Sequence, residues 1–369
     1  MARVLTVTDT VRPRSGAGAA VSSLNPGYFA LVMGTGIVSI GMNNHGQDVL
    51  SRLLLGLAAA GYLVLVVATG WRFVRFRSQL QADFTNPARA FGFFTFVAGS
   101  DVLGTRFALG GQRGLAIALL VIGWVSWVVL GYVVPWTAVL GQRARPVVAA
   151  ANGSWFIWVV ASQSVAVLSA ALEPGSAGGR RELALLAVFS WSVGVFLYAA
   201  VGIFVGARLL LYPLEPEDLS PPYWVAMGAT AITVLAGARI VEMADAPMVA
   251  ATRGLIAGTS VVFWAFGSWL IPALVAAGWW RHGVHRIPLR YEAAWWSIVF
   301  PLGMYGVAGH YLGGADNLPL VHAIGENETW VALAAWAVVF AAMLVHLART
   351  VIRPLSPPPS PLAGDDATS

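Results

Sequence analysis

Ionisable side chains are scarce in the apolar parts of this 369-residue chain, and the only carboxylate well inside an apolar stretch is Asp101. Arg106 follows it five positions later. An acid inside a membrane segment is a candidate proton site, because such residues are costly there and usually functional. A carboxylate also repels anions unless it is paired or protonated. A structural role for Asp101, beside Arg106, a neighbouring helix end or backbone donors, is therefore favoured over a proton site.

His310, near one end of another apolar stretch, is the second candidate proton site. Histidine changes charge near neutral pH, although a lone histidine is more often a hydrogen-bonded packing residue. Arg239 and Glu242 have the i,i+3 spacing of a surface salt bridge. The basic segment 281–290 fits the arginine enrichment of cytoplasmic loops, and it would also concentrate anions at a pore mouth.

The residue types exclude several kinds of enzyme. The chain has no cysteine and no lysine, which excludes thiolate metal sites, cysteine nucleophiles, Schiff-base chemistry and a Walker-type phosphate loop. No HExxH motif, paired catalytic carboxylates or Ser/His/Asp arrangement is present. Gly34 and Gly36 begin a GxGxxG-like run, but its sixth position is Ser39 and no strand precedes it. We expect no catalytic residue, no cofactor and no metal.

Composition indicates an integral membrane protein. Hydrophobic residues make up 58% of the chain and charged residues 11%, whereas soluble proteins contain about 25% charged residues. The net charge of +5 comes from arginines at helix ends, so we expect no nucleic-acid partner. Ten apolar stretches are long enough for membrane helices, at about residues 25–43, 50–70, 88–108, 114–138, 148–171, 183–208, 221–241, 252–278, 292–312 and 328–348.

The distribution of arginines predicts the orientation. Fifteen of the 22 arginines fall on the side of the N-terminus, and arginine-rich loops stay in the cytoplasm. Both termini should therefore be cytoplasmic, which agrees with an even number of spans. The sequence predicts a disordered arm (residues 1–24), a ten-helix membrane domain (25–350) and a disordered proline-rich tail (351–369). Short links on the opposite side predict five helical hairpins.

Small and polar residues concentrate in the odd-numbered stretches, whereas the even-numbered ones contain more bulky side chains. Because polar groups in a membrane face the bundle interior or water, we predict an inner ring of odd helices around a central pore. Close helix packing is the competing interpretation for the glycines. The candidate pore-lining residues are Gly34, Thr35, Gly36, Gly99, Ser100, Gly228, Gly303 and Gly306.

The ninth stretch contains Phe300 followed by Pro301. Proline lacks the N–H that would bond the Ser297 carbonyl, so this helix should be kinked. Inside lipid such a defect is tolerated only against protein or a water-filled path. A large ring beside glycines suggests a plug in a channel, and a tightly packed kinked helix is the alternative.

Four segments resemble the tellurite-resistance/dicarboxylate transporter family, which includes plant slow anion channels and fungal malate and sulfite exporters. They are residues 25–41 (NPGYFALVMGTGIVSIG), 98–105 (AGSDVLGT), 152–164 (NGSWFIWVVASQS) and 295–303 (WWSIVFPLG). The resemblance implies ten helices in five hairpins, a pore inside an inner ring of odd helices, a homotrimer, and a pore-occluding phenylalanine of the ninth helix. That phenylalanine is Phe300 in this chain.

These observations predict transport of small anions across the cytoplasmic membrane through a phenylalanine-gated pore. No span has an arginine at its centre, so anions should be stabilised weakly, by helix dipoles and bare peptide N–H groups. The alternative is a proton-coupled carrier for C4-dicarboxylates or sulfite, with Asp101 or His310 as the proton site. A membrane-embedded sensor or scaffold is a third class. Which anion is carried, and whether tellurite resistance is involved, does not follow from the sequence.

Overall fold

The computed structural model describes residues 17–352 apart from residues 144, 177 and 245. In this part of the chain the regular elements are helices and no strand is present, which confirms the all-α class. The α-helices are α1 (Ala17–Ser22), α2 (Ala30–Asn44), α3 (Asp48–Arg75), α4 (Arg77–Thr85), α5 (Phe94–Leu109), α6 (Arg113–Val134), α7 (Phe156–Leu172), α8 (Arg180–Leu211), α9 (Val225–Val241), α10 (Pro247–Trp279), α11 (Trp296–Ala315) and α12 (Pro319–Leu347).

Two short helices lie in segments that the sequence analysis treated as arm or loop. The predicted arm and tail fall mainly outside the described residues, but the end of the arm contains α1, where the Ser22 and Ser23 hydroxyls each donate to the Ala19 carbonyl at 2.9 Å. Helix α4 follows α3 after a single residue, and its Asp83 carboxylate is bound by Arg72 of α3 at 2.6 Å. This buried ion pair holds α4 against the end of α3.

Among the described residues, seven helices are long and apolar enough to cross a membrane, so the chain is a multi-pass membrane protein. They are α3, α6, α7, α8, α9, α10 and α12. The other three stretches expected to span the membrane correspond to α2, α5 and α11. Helices α2 and α5 contain only 15 and 16 residues, and the glycine, serine and threonine in these two helices lower their hydropathy.

Consecutive helices pack side by side in five pairs: α2 with α3, α5 with α6, α7 with α8, α9 with α10, and α11 with α12. Three of the connections are tight turns around a left-handed residue, namely Gly46 (φ 67°), Gly111 (φ 79°) and Asn317 (φ 52°). In each turn the residue after the left-handed one donates its backbone N–H to the carbonyl five residues earlier at 2.9 Å, as in a Schellman motif. The donors and acceptors are Gln47 and Met42, Gln112 and Phe107, and Leu318 and Gly313.

Five of the helices, which we call the inner ring, contact one another in a closed cycle. Helix α2 contacts α5, α5 contacts α7, α7 contacts α9, α9 contacts α11, and α11 returns to α2. In the most apolar part of the segments around α7 and α9, 89% and 83% of the residues are buried. The corresponding share is 6% to 44% in α3, α6, α8, α10 and α12. The polar and small-residue helices are therefore inside, and the bulky apolar helices cover them.

Every inner-ring helix begins with a 3-10 turn, and these five turns contact one another in the same cyclic order. Asn25 and Asn152 cap two of the turns, because their side chains accept bonds from the N–H groups of Gly27 and Ser154 at 2.8 Å. Proline, which suits the first helical position, starts two of them. The turns are Pro26–Phe29, Ala90–Phe93, Gly153–Trp155, Pro221–Trp224 and Ala293–Trp295.

The close approach of these turns predicts that Gly153→Ala is destabilising. A methyl group at Gly153 would collide with the backbone of Pro222 and Tyr223, which cannot move aside like a side chain. Overpacking of this kind costs about 1–3 kcal/mol. We expect a lower melting temperature in detergent, followed by tryptophan fluorescence. Gly202→Ala is the matched control, because nothing lies within 4 Å of an added methyl group there; equal melting temperatures for the two variants would contradict the close approach.

Candidate functional site

The five 3-10 turns surround a cavity of about 160 Å³, which we call the vestibule. Each inner-ring helix contributes at least one residue to its wall, and the residues are mostly small or polar. The wall includes Asn25, Gly27, Gly92, Asn152, Ser154, Ile157, Ser220, Pro222, Ala293 and Ser297, together with Ala88 and Arg89 from the chain before α5.

The electrostatic character of the vestibule is positive. Five helix N-termini face it, and each carries the positive end of a helix dipole with N–H groups that have no partner inside the helix. Arg89 is the only ionisable residue in the wall. Its Nε bonds the Asp83 carboxylate at 2.9 Å, and Arg72 bonds the same carboxylate. Two arginines on one carboxylate leave a net positive charge at the wall.

Ser154 is a wall residue whose hydroxyl is buried without a hydrogen-bond partner among the described residues. Only 8% of the residue is exposed, and its Oγ is a buried atom without a partner among the described residues. A buried hydroxyl without a partner is costly, and because this oxygen is itself buried, the Ser154 side chain would have to rotate before it could bind a molecule in the vestibule. The vestibule therefore combines helix N-termini, one arginine and a hydroxyl donor, which suits a small anion.

A second cavity lies further along the axis of the inner ring and measures about 10 Å³, the lower limit for a single water molecule. All five inner-ring helices contribute to its wall, and its lining is largely apolar. The wall is made by Ile37, Ile40, Val102, Thr105, Ser164, Val167, Ile232, Leu235 and Met304.

Phe300 lies on α11 between a residue that lines the vestibule and one that lines the second cavity. On α11, Ser297 lines the vestibule and Met304 lines the second cavity. Phe300 is three residues after the first and four before the second, so the three side chains share one helix face. By the same spacing, the other inner-ring helices place smaller or flexible side chains at this level: Met33, Ala98, Ala161 and Ala229, all of them buried. Phe300, with 1% of its surface exposed, is the largest side chain at this level.

Comparison with known proteins gives the family. Residues 23–344 match the family described as voltage-dependent anion channel. The chain belongs to this family. A membrane protein of unknown function from Mycobacterium tuberculosis H37Rv is 71% identical over 159 residues, which are 43% of this chain and 81% of that protein. Two proteins of Methanocaldococcus jannaschii, both named as uncharacterised transporters, are 24% identical over 325 residues, 86% of this chain and 92% and 93% of theirs.

The family relation that the four sequence segments indicated is thus confirmed. The family and the transporter-named relatives support anion transport as the general function, and a transport protein rather than an enzyme. The parallel N-termini and the positive vestibule agree with that function.

In this member of the anion channel family, the six glycines proposed as lining residues lie at helix contacts. A methyl group at Gly228 would meet Pro301 Cγ at 2.8 Å, and one at Gly36 would meet Val102 Cγ1 at 2.8 Å. The other four face neighbours in the same way: Gly34 faces Val299 and Trp296, Gly99 faces Phe29 and Val32, Gly303 faces Ile37, and Gly306 faces Thr329.

The two hydroxyl residues of the same set bond outer helices. Thr35 Oγ1 accepts from Trp336 Nε1 at 3.0 Å, and Ser100 Oγ lies 2.9 Å from the Tyr62 hydroxyl. These contacts tie α2 to α12 and α5 to α3. The eight small residues thus bring the helices close together, while other side chains face the two cavities.

Asp101 and Arg106 do not contact each other. Asp101 is fully buried, and its Oδ2 accepts a hydrogen bond from Ser164 Oγ at 2.8 Å. Its Oδ1 has no partner among the described residues and packs against Gly123 of α6, where a methyl group would collide with it. Arg106 instead bonds the hydroxyls of Ser39 and Ser51 at 2.9–3.2 Å. The acid is therefore placed by a serine of α7, without a cation beside it.

Ser154, Arg89 and Ser297 were not among the site residues predicted from the sequence. Asn25-Pro26, Asn152-Gly153 and Ser220-Pro221 begin three of the five turns. Three helix-start motifs on helices that return to the same side could have indicated one shared mouth. The contribution of Arg89 could not be found in this way, because arginine is common in such loops.

The environment of Asp101 predicts that Asp101→Asn is tolerated. The asparagine carbonyl can accept the same bond from Ser164, and no cation loses its partner. We expect melting temperature and the pH dependence of anion flux in liposomes to remain close to those of the parent. The matched control is Asp83→Asn, which leaves two arginines against a neutral group; removing one partner of a buried pair costs about 3–5 kcal/mol. A well-folded Asp101→Asn variant without pH-dependent flux would instead identify Asp101 as a proton site.

Proposed function

We propose that the chain conducts small anions through a pore enclosed by the inner ring, and that Phe300 closes this pore in the conformation described. The observation that supports the proposal is that Phe300 lies on α11 between Ser297, which lines the vestibule, and Met304, which lines the second cavity. Family membership supports anions as the transported class.

The proposed path first attracts an anion and then makes it cross an apolar level. Arg89 and five helix N-termini stabilise the anion in the vestibule. Beyond it, the ring of Phe300 and the apolar side chains around it exclude water, and apolar constrictions can gate by dewetting. Because the second cavity has no charged wall residue, the anion is held weakly there, which favours throughput over tight binding.

Pro301 and the glycines set the width of this path in our proposal. Pro301 packs against Gly228, so α11 and α9 approach closely beside the gate. Gly34, Gly36, Gly99, Gly303 and Gly306 let the inner helices approach in the same way, and Thr35 and Ser100 anchor them to outer helices. These residues shape the pore wall by their contacts, and the side chains of other residues line it.

We further propose that the vestibule faces the cytoplasm, that both termini are cytoplasmic, and that the protein acts in the cell membrane as a homotrimer. The arginine distribution supports the orientation, because most arginines lie near the vestibule end. The resemblance to the transporter family supports the homotrimer.

The second candidate function is a proton-coupled carrier for C4-dicarboxylates or sulfite. The observation in its favour is that Asp101 bonds Ser164, which lines the second cavity. The acid is then one hydrogen bond away from the path. A carrier would show uptake driven by a pH gradient, whereas a channel would show currents above carrier turnover.

If Phe300 closes the pore, the Phe300→Ala variant should carry a higher anion current than the parent. Removing the ring opens the apolar level while Pro301 and its glycine contacts remain. Even about 1.4 kcal/mol taken from the barrier gives a tenfold rise in rate, so we expect the current of reconstituted protein to rise by about tenfold or more. The space left behind adjoins the vestibule and can fill with water. The melting temperature should therefore fall less than for a phenylalanine removed from the core.

Phe94→Ala supplies that core comparison. Phe94 is fully buried and stacks on Trp158 at 5.9 Å between ring centroids, so its removal should cost about 3–5 kcal/mol without raising the current. A folded Phe300→Ala variant with parental current would remove Phe300 as the gate. A variant that unfolds as readily as Phe94→Ala would make Phe300 a packing residue.

The proposed orientation predicts where a reporter at the C-terminus is active. A fluorescent protein fused after residue 369 should fold and fluoresce in the cytoplasm, and alkaline phosphatase at the same place should be inactive. Phosphatase fused in the turn at Gly46 is the matched control and should be active. The reverse pattern would contradict the orientation and place the vestibule outside.

A further inference from the structure

Three histidines surround one carboxylate at the end of the inner ring opposite the vestibule. His310 lies near the end of α11, His322 and Glu326 lie one turn apart on α12, and His45 directly follows α2. Glu326 Oε1 is 2.5 Å from His310 Nδ1 and 3.9 Å from His322 Nε2. Glu326 Oε2 is 3.1 Å from His45 Nε2. These three histidines are the ion-pair partners of Glu326 among the described residues.

The ligand atoms of His310, His322 and Glu326 have the spacing of a metal site. One nitrogen or oxygen from each residue lies within 4.8 Å of the others. Bonds of about 2.0–2.1 Å around a tetrahedral zinc ion put neighbouring ligand atoms about 3.3 Å apart. The ligand atoms of this site are between 2.5 and 4.8 Å apart, so small side-chain rotations bring them to the zinc-site distance. All three residues are half-buried, which leaves space for a water molecule in a fourth position.

The hydrogen bonds around these ligands match what a metal site requires. His322 Nδ1 faces the His310 carbonyl at 3.1 Å; a carbonyl oxygen can only accept, so Nδ1 carries the proton and the Nε2 lone pair is directed toward Glu326. Metal-binding histidines usually donate their second N–H in this way. His45 is held by the Gly41 carbonyl, 2.9 Å from Nδ1. Its Nε2 lies 3.1 Å from both the backbone carbonyl oxygen and Oε2 of Glu326, so His45 contacts the carboxylate through Oε2 and leaves Oε1 for the metal.

We propose that His310, His322 and Glu326 form a binding site for a divalent transition metal ion of the zinc type, with His45 as the residue that orients Glu326. Imidazole and carboxylate ligands without thiolate suit Zn²⁺ and related ions. The site joins α11 to α12, and through His45 to α2. It does not depend on the proposed anion path, and the ring of Tyr311 separates it from Arg239, whose guanidinium lies 5.0 Å above that ring.

The test is Co²⁺ and Zn²⁺ binding to the purified full chain, prepared without a histidine tag. Co²⁺ should bind with one ion per chain and give the visible absorption of a four-coordinate site, and Zn²⁺ should displace it. His322→Ala and Glu326→Gln should each weaken binding by at least about tenfold. His45→Gln should weaken it by about 10–100-fold without changing the stoichiometry, as for partners of metal ligands.

The control variant is His285→Ala, whose ring packs on Trp280 in a different part of the chain; it should bind Co²⁺ like the parent. Melting curves recorded without metal identify variants that do not fold, and His322→Asn replaces His322→Ala if the alanine variant fails. Parent protein that binds less than one Co²⁺ per chain, or binding kept by His322→Ala and Glu326→Gln together, would overturn the site and leave a hydrogen-bonded His–Glu network.

Discussion

The close approach of the five inner helices is the constraint on which the rest of the structure depends. Glycines remove the side chains that would hold the helices apart, as at Gly228 against Pro301 and Gly303 against Ile37. The ring consequently closes around little free volume, with one cavity at the mouth and a much smaller one beyond it. In our proposal a single phenylalanine is enough to close such a narrow ring, whereas a wider ring would need a layer of bulky residues.

Parallel helices follow from the pairing of consecutive helices, and they give the vestibule its charge. Each outer helix returns the chain to the side where it started, so all five inner helices begin at the same end. Their dipoles then point the same way, and their unpaired N–H groups meet in one place. Pro301 acts in the opposite direction, since it has no N–H to donate to the carbonyl of Ser297, a residue that borders the vestibule, and a free carbonyl oxygen carries partial negative charge. An unpaired carbonyl is tolerated at membrane depth where it adjoins a polar cavity.

Sequence patterns were sufficient to predict the helical class, the family and the polar character of the inner helices, because composition and local motifs carry that information. They were not sufficient to predict which neighbouring helix each side chain faces. Gly34 and Gly36 face α11 and α5, and a helix without a strongly one-sided pattern does not reveal which face meets which neighbour. Asp101 and Arg106 are close in sequence but have different partners, since five residues on a helix place them on different faces. The contacts of Glu326 with His310 and His45 join residues from three separate parts of the chain, so the sequence does not reveal them. Only the i,i+4 spacing of His322 and Glu326 can be read from the sequence.

The far end of the ring raises the opposite electrostatic problem. Five parallel helices that begin at the vestibule end together on the other side, where their carbonyl groups would repel an anion. Four of these ends carry basic residues: Arg106 on α5, Arg239 on α9, His310 on α11 and His45 after α2. Arg106 is buried, and two serine hydroxyls that can accept but bring no charge hold it in place. Its positive charge therefore remains to offset the negative helix ends, and the charge of a metal ion bound by His310 would act in the same direction. Of the four basic residues, Arg239 is paired with Glu242 and the two histidines with Glu326, so Arg106 is the one without a carboxylate in direct contact among the described residues.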